Sequence, residues 1–395
     1  MLSDTAVRAV NALTARWARS AATSGGTVFS AAGLWPLLAA LADGAEGAAR
    51  KELADAVGIP AEDAARHAHD LLTALGGLPG TAAAIGLWTR PDLAVSPDWT
   101  ARLPAHVHQR IAEVDPQRHL DAWAARHTDG RIDRFPVTVD ESTRLVLAGA
   151  LAVRTEWIRR FFPATLWPAT GPWSDRQLAA LGRTTALLDR LGVADTAAGT
   201  VSELRVLGTG GIDVHLLLGE EPARPGDVLT AGIDLLHRRY PRVSGDVLPY
   251  GSPGPGVQVR REGSYEPEST LTVLTPGFTV AAHHQLLEDA ACFGLATASD
   301  DSRGHFPGIT PGFPLAVQSA AQSATATFGA TGFRAAAVSA VAAAAGSAAW
   351  LPYVVRAVRF TVDRPFGFLA VHRTSRLVLT AGWVEQPDEP QDQWS

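Results

Sequence analysis

The run Thr143 to Val153, TRLVLAGALAV, is almost continuously apolar and has no polar–apolar alternation. A strand of that kind is buried on both faces, so the fold needs covering layers on either side of a sheet. The first third of the chain supplies helices for that purpose. Val7, Val10, Leu13 and Trp17 recur at helical spacing. Leu34 to Leu41 is too uniformly apolar for a surface helix and reads as a buried one. Ala48 to Val57, stopped by Gly58 and Pro60, and Ala61 to Leu75, stopped by Gly76-Gly77 and Pro79, continue the series. Short helices are predicted at Ser96 to Arg102 and Asp121 to Arg131.

Strand patterns fill most of the remainder. They lie at Val28 to Ser30, Ala82 to Trp88, Leu271 to Leu274, Phe278 to Val280, Phe313 to Phe328, Val354 to Val362, Phe366 to His372 and Leu377 to Val384. Val201 to Leu207 and Ile212 to Leu218 pair across a glycine-rich turn. Two helices are predicted among these strands, at Val228 to Leu236 and at His284 to Phe293. Helices crowd the first third and strands the rest, an α+β pattern rather than a βαβ alternation. Gly251 to Gly256 is the clearest loop, but strands flank it on both sides, so residues 1–395 read as a single domain.

A net charge of -6 and a pI near 6.1 give no basic footprint for nucleic acid. No apolar run reaches membrane-spanning length, and the N-terminus lacks a secretory h-region, so the expectation is a cytoplasmic, monomeric protein. The lone Cys292 has no internal disulfide partner. Lys51 is the only lysine, and arginine carries nearly all the positive charge, a usage that points to a GC-rich, bacterial coding sequence.

One stretch fits neither core nor ordinary loop. Gly332 to Leu351 reads GFRAAAVSAVAAAAGSAAWL, nearly all Ala, Ser, Gly or Val after Arg334. Alanine is the best helix former, yet an all-alanine helix buries little apolar area. The alternative is an extended segment kept small so that it can enter a crowded sheet.

Four stretches, in order, resemble the serpin family. They are VFSAAGLWPLLAALADGAEGAARKELADAVGI, TRLVLAGALAVRTEWIRRF with its Trp157, STLTVLTPGFTV, and the hairpin DRPFGFLAVHRTSRLVLTAGWV. The resemblance runs from about residue 6 to 386. It implies a single-domain fold of three β-sheets with about eight or nine helices and an exposed reactive-centre loop at about 332–352. It also implies an inhibitor rather than an enzyme, without cofactor or metal. A serine or cysteine protease would cleave the loop, and the freed segment would enter the central sheet as a new strand. On this resemblance Gly332, Phe333, Arg334, Ala335, Ala336, Ala337, Val338 and Ser339 form the hinge. The scissile bond falls near Gly346-Ser347. The small neighbours suit a protease with a small or shallow pocket, elastase-like or subtilisin-like.

Several positions depart from the family pattern. Phe333 stands where a small or β-branched residue is usual, and overfilling such a site costs roughly 1–3 kcal/mol. Ala330 and Arg334 stand at usual Glu positions. In the sheet-opening region Ser30 matches, but Ala31 replaces Pro, Gly149 replaces Asn and Gln322 lies where His is common, so the usual polar network there is not expected. These changes keep open a non-inhibitory serpin-fold protein that binds a small molecule or partner or serves a biosynthetic role.

Other chemistry is weak. His67 and His69 point apart on a helix, and His106 and His108 lack a third ligand. The glycines at 208, 210 and 211 precede no helix, so they fail as a phosphate loop. Cys292 reads as a buried inert thiol, and His283-His284 with Asp289 as a surface helix face.

Overall fold

A computed structural model describes residues 2–22, 25–105, 107–127, 130, 134, 135, 137, 139, 143–333 and 351–388. In chain order the helical third contains α1 (Asp4–Ala21), β1 (Thr27–Phe29), α2 (Ala31–Gly44), α3 (Gly47–Val57) and α4 (Ala61–Gly77). Then come β2 (Thr81–Thr89), α5 (Pro97–Ala101), β3 (His108–Arg110), α6 (Pro116–His127), β4 (Leu145–Val153) and β5 (Thr155–Glu156). The middle holds β6 (Phe162–Leu166), β7 (Leu178–Thr185), β8 (Leu191–Thr196), β9 (Gly199–Leu207), β10 (Ile212–Gly219), α7 (Pro225–Leu236), β11 (Val243–Ser244), β12 (Gly251–Gly254) and β13 (Val257–Ser264). The chain continues through β14 (Thr270–Pro276), β15 (Phe278–Gln285), α8 (Ala290–Phe293), β16 (Ser319–Phe328) and β17 (Gly332–Phe333). It closes with β18 (Tyr353–Thr361), β19 (Phe366–His372) and β20 (Leu377–Val384).

Three sheets result. The central sheet runs β3-β2-β4-β16-β17-β5, with β15 on β16. A second runs β1-β20-β19-β10-β9-β8-β11, and a third β12-β13-β18-β14-β7-β6. β4 is covered on both sides, as its composition requires. Val146 and Ala148 pack with Trp88, Trp123 and Phe135 beneath α6. Leu145, Leu147 and Leu151 join the main core with α2, whose Leu34, Trp35, Leu37, Leu38 and Leu41 are all buried. Caps fix the ends of the helices: the Ser3 hydroxyl accepts from Ala6 N at the start of α1, and Gly58, at φ 72°, ends α3 in the left-handed region.

Three expectations need correction. His283 and His284 lie on a strand, not a helix, because β15 runs to Gln285 and pairs with β16 over eight residues. Its burial alternates along its length, which is the strand period, and only a short 3-10 turn and α8 follow. The strand predicted from Phe313 begins at Ser319. Gly251 to Gly256 is not a free loop: β12 pairs with β13, and Gly256, at φ 67°, makes the turn.

At the junction of β8, β9 and β10 a carboxylate is buried among cations. Glu203 accepts from Arg242 Nε at 2.6 Å and lies 2.7 Å from His215 Nδ1. Burial pushes its pKa up, but the hydrogen bond and charge of His215, with Arg242 and Arg205, prevail and hold it at about 2 against an ordinary 4.5. A depressed carboxylate stabilises the fold above its unfolded pKa, and that contribution is lost as pH falls toward the folded value. Lowering the pH from 5 to 2.5 is therefore expected to remove much of roughly 3 kcal/mol, and Glu203→Gln to flatten that dependence in acid unfolding. An unchanged acid limb in the variant would discard this assignment.

Candidate functional site

The site lies where the central sheet divides. β4 and β16 run parallel and pair only through Ser319–Val146, Ala320–Leu147, Ala321–Ala148 and Gln322–Gly149. Beyond Gln322 and Gly149 the two strands have no shared rung among the described residues. At the far end β17 occupies the space between them. Phe333 pairs antiparallel with Phe328 of β16 on one side and with Thr155 of β5, just past β4, on the other. Paired strands sit about 4.8 Å apart, so a strand wedged between two others doubles their spacing. The sheet is thus zipped below Gln322 and splayed above it.

The wedge is held from both sides. Gly332 pairs with Glu156, and a Cβ on Gly332 would lie 2.4 Å from the Thr155 carbonyl oxygen, so only glycine fits. Phe333 is 2 % exposed, with its ring 5.9 Å from that of Phe368. Trp157 N donates to Thr331 O at 2.9 Å, and Phe161 N to Ala330 O at 2.9 Å. Trp157 Nε1 donates to Gly329 O at 2.8 Å while its ring packs 4.8 Å from Phe328. Ala330 is buried here, where a Glu side chain would lose its hydration.

Trp157 is anchored in turn. It bridges Gly208, whose N–H donates to the buried Asp213 carboxylate. Arg373 clamps Asp213 through Nε and Nη2 and also donates to Gly208 O at 2.7 Å. Nothing in the local sequence marks this anchor, because Arg373 lies 160 residues or more from the groups that it holds.

At the lower end of the gap the polar network does form, in a different way. Gln322 Oε1 accepts from Ser30 N at 2.7 Å, and Nε2 donates to Ser30 O at 2.9 Å. The Ser30 hydroxyl donates to Leu379 O at 2.6 Å and caps α2 through Gly33 N. One carboxamide thus supplies both the donor and the acceptor that Ser30 needs. Gly149 contributes space instead of a side chain: its Cβ would stand 2.6 Å from Gly33 O, where α2 presses on β4.

The sequence-predicted residues Ser30, Gly149, Gln322, Trp157, Gly332 and Phe333 therefore belong to one site around the gap. Arg334, Ala335, Ala336, Ala337, Val338 and Ser339, and the bond Gly346-Ser347, lie outside the described residues. So does His106. The contacts that sequence reasoning missed are those of Thr155, Gly208, Asp213, Phe328 and Arg373.

The other candidates separate. His67 is buried against the Ser3 hydroxyl, whereas His69 is exposed. Burial holds His108 down at about 4, with Thr89 Oγ1 at 2.9 Å. His283 bonds Ser323 and His284 bonds Val28 O, on opposite faces of β15. Burial raises the Cys292 thiol further from the reactive thiolate. No cluster of three or more potential metal ligands occurs among the described residues.

Comparison with known proteins gives one consistent likeness. A family model described as serpin (serine protease inhibitor), a family of inhibitors and not of enzymes, matches residues 4–166. A rice protein (Oryza sativa subsp. japonica) described as putative serpin-Z12 is 30% identical over 167 residues, 38% of this chain and 39% of the relative. The chain thus spans well under half of that relative's length. Among solved structures, Serpin48 of the insect Tenebrio molitor superposes with a TM-score of 0.71 at 17% identity, over 98% of this chain and all of the other. Mouse protein-Z dependent protease inhibitor gives 0.71 at 13%, over 98% of both chains. Thyroxine-binding globulin in complex with thyroxine gives 0.70 at 15%, over 98% and 99%. At these identities the structures establish the fold.

Proposed function

From the premise that this chain has the serpin fold, we propose that it is an irreversible inhibitor of a serine or cysteine protease, acting through the segment that follows Phe333. The observation that carries this reading is the splayed gap with β17 already at its mouth. A strand continuing from Phe333 runs antiparallel to both β4 and β16. Extending the pairings of Phe333 with Phe328 and Thr155 brings Ser339 to the Gln322–Gly149 rung from either side. Arg334 to Val338 thus enter a gap with no rung to break, and Ser339 meets the first one. Partners across a ladder share a face, so Ala335, Ala337 and Ser339 face the core side, where small residues fit.

The chemistry is an ordinary acyl transfer. The protease nucleophile attacks the Gly346 carbonyl, the bond to Ser347 N breaks, and Ser347 leaves as a new amino terminus. Insertion then carries the acyl group down the sheet. At about 3.3 Å per residue the segment from Arg334 to Gly346 spans on the order of 40 Å. The residues around the bond favour a small or shallow specificity pocket. The protein acts as a monomer, and its single buried Cys292 suits a reducing, cytoplasmic setting.

Incubation with elastase-like and subtilisin-like proteases is expected to give a band at the combined mass that survives denaturation. Mass spectrometry of the released peptide should begin it near Ser347. Clean cleavage with no such band would overturn the proposal. A second reading, small-molecule binding, rests on a surface cavity of about 350 Å³ lined by Pro172, Pro222, Pro225, Arg364, Trp383 and Glu385. That volume lies in the range of ligand sites.

A further inference from the structure

We propose that the end of β7 and the turn Leu188–Arg190 form a binding site for a phosphate or sulfate oxyanion. Three arginines converge there from separate elements. Arg183 Nη1 donates to Arg159 O at 2.8 Å, and Arg159 Nη1 to Thr185 Oγ1 at 3.3 Å. Arg190 closes the turn, and Arg205 and Arg242 both donate to Asp189 O, at 3.3 and 3.1 Å.

Carboxylates do not balance this charge. Glu203 is engaged by His215 and Arg242, with Arg205 at 3.8 Å, and Asp189 meets Arg190 at 3.2 Å from a half-exposed position. Five guanidinium groups thus face two carboxylates, a local excess of three positive charges in a chain whose net charge is -6. Neither Arg159 nor Arg183 has an ion pair among the described residues. Nε of Arg183, of Arg190 and of Arg205 is buried without a hydrogen-bond partner among them. Desolvation, with the charges of Arg159 and Arg190, pulls Arg183 down to about 10, the opposite of what pairing with a carboxylate does. Arg183 is held in this repulsive place by the Phe161 ring, 4.3 Å below its guanidinium.

A multivalent oxyanion removes the repulsion. Guanidinium groups present paired N–H donors that match phosphate and sulfate oxygens. A ligand that binds only the folded state also raises its stability. The same chemistry is offered by a small phosphate ester and by a sulfated polymer.

The test is calorimetric titration and thermal unfolding of the full chain at low ionic strength, with pyrophosphate and separately with dextran sulfate. Sodium chloride at matched ionic strength is the control. Pyrophosphate is expected to bind saturably and raise the unfolding midpoint where the chloride control does not. In the double variant Arg159→Gln/Arg190→Gln its affinity should fall at least tenfold, with the ligand-free midpoint held or raised as repulsion is relieved. Dextran sulfate binding much more tightly per site, and with the same dependence on both arginines, assigns the polymer as the natural source. No saturable response to either probe, or unchanged affinity in the double variant, overturns the proposal.

Discussion

Replacing Gln322 with alanine is expected to destabilise the fold by roughly 1–3 kcal/mol. The carboxamide satisfies both Ser30 N and Ser30 O, and all of these groups are buried. Leaving a buried donor unpaired costs about 1–3 kcal/mol, and the truncation strands Ser30 N, while Ser30 O keeps its bond from Gly33 N. Denaturant unfolding measures the loss. A change below about 1 kcal/mol would mean that Ser30 finds other partners and that the carboxamide is not the link between β16 and α2. The exchange also touches function, because Gln322 forms the uppermost rung between β16 and β4. Loss of the carboxamide is expected to speed loss of the proposed inhibitory activity on storage, since β16 is then no longer tied to Ser30. Gln322→Glu gives a sharper comparison: it keeps the size and an acceptor for Ser30 N but sets a carboxylate oxygen against Ser30 O.

Much of the architecture was legible because it follows from local pattern. The apolar run in β4, the uniform helix α2 and the pair β9–β10 each announce themselves within a dozen residues. β15 did so only in part: Phe278 to Val280 read as a strand, but the remainder, AAHHQ, is made of small and polar residues. Its alternation emerges only from burial against β16. The resemblance to serpins singled out Ser30, Gly149, Gln322 and Trp157, and it said of Gln322 and Gly149 only that the usual polar network is not expected there. It left open what stands in its place. The structure shows Gln322 making the network and Gly149 making room for Gly33 O. Such roles depend on partners hundreds of positions away, as with Ser30 and Gln322, and no window of sequence holds both. The same holds for Asp213 and Arg373, whose ion pair steadies Gly208 and through it Trp157.

Phe333→Thr separates stability from inhibition. From sequence, Phe333 stands as an oversized first residue, so threonine is expected to improve inhibition if Phe333 slows insertion and to leave activity unchanged if the segment never inserts. The structure corrects this premise, because Phe333 is already inside, 2 % exposed and paired on both edges. Its contacts with Phe368 and the ladder exist before cleavage and persist after a strand has entered behind it. They lower the free energy of the starting and inserted states alike, and so cancel from the drive for insertion. Truncating a buried Phe removes its transfer energy and leaves a cavity, about 3–5 kcal/mol for Phe→Ala and somewhat less for threonine, which refills part of the space. The expected outcome is therefore a clear loss in denaturant stability with the stoichiometry of inhibition unchanged within about twofold. A marked improvement in inhibition at unchanged stability would show instead that Phe333 enters only after cleavage. The barrier that remains lies further along the segment. The first bonds to break are those between Gln322 and Gly149. On the proposed mechanism, partition between trapping and hydrolysis of the acyl-enzyme is thus set at that rung, six positions past Phe333.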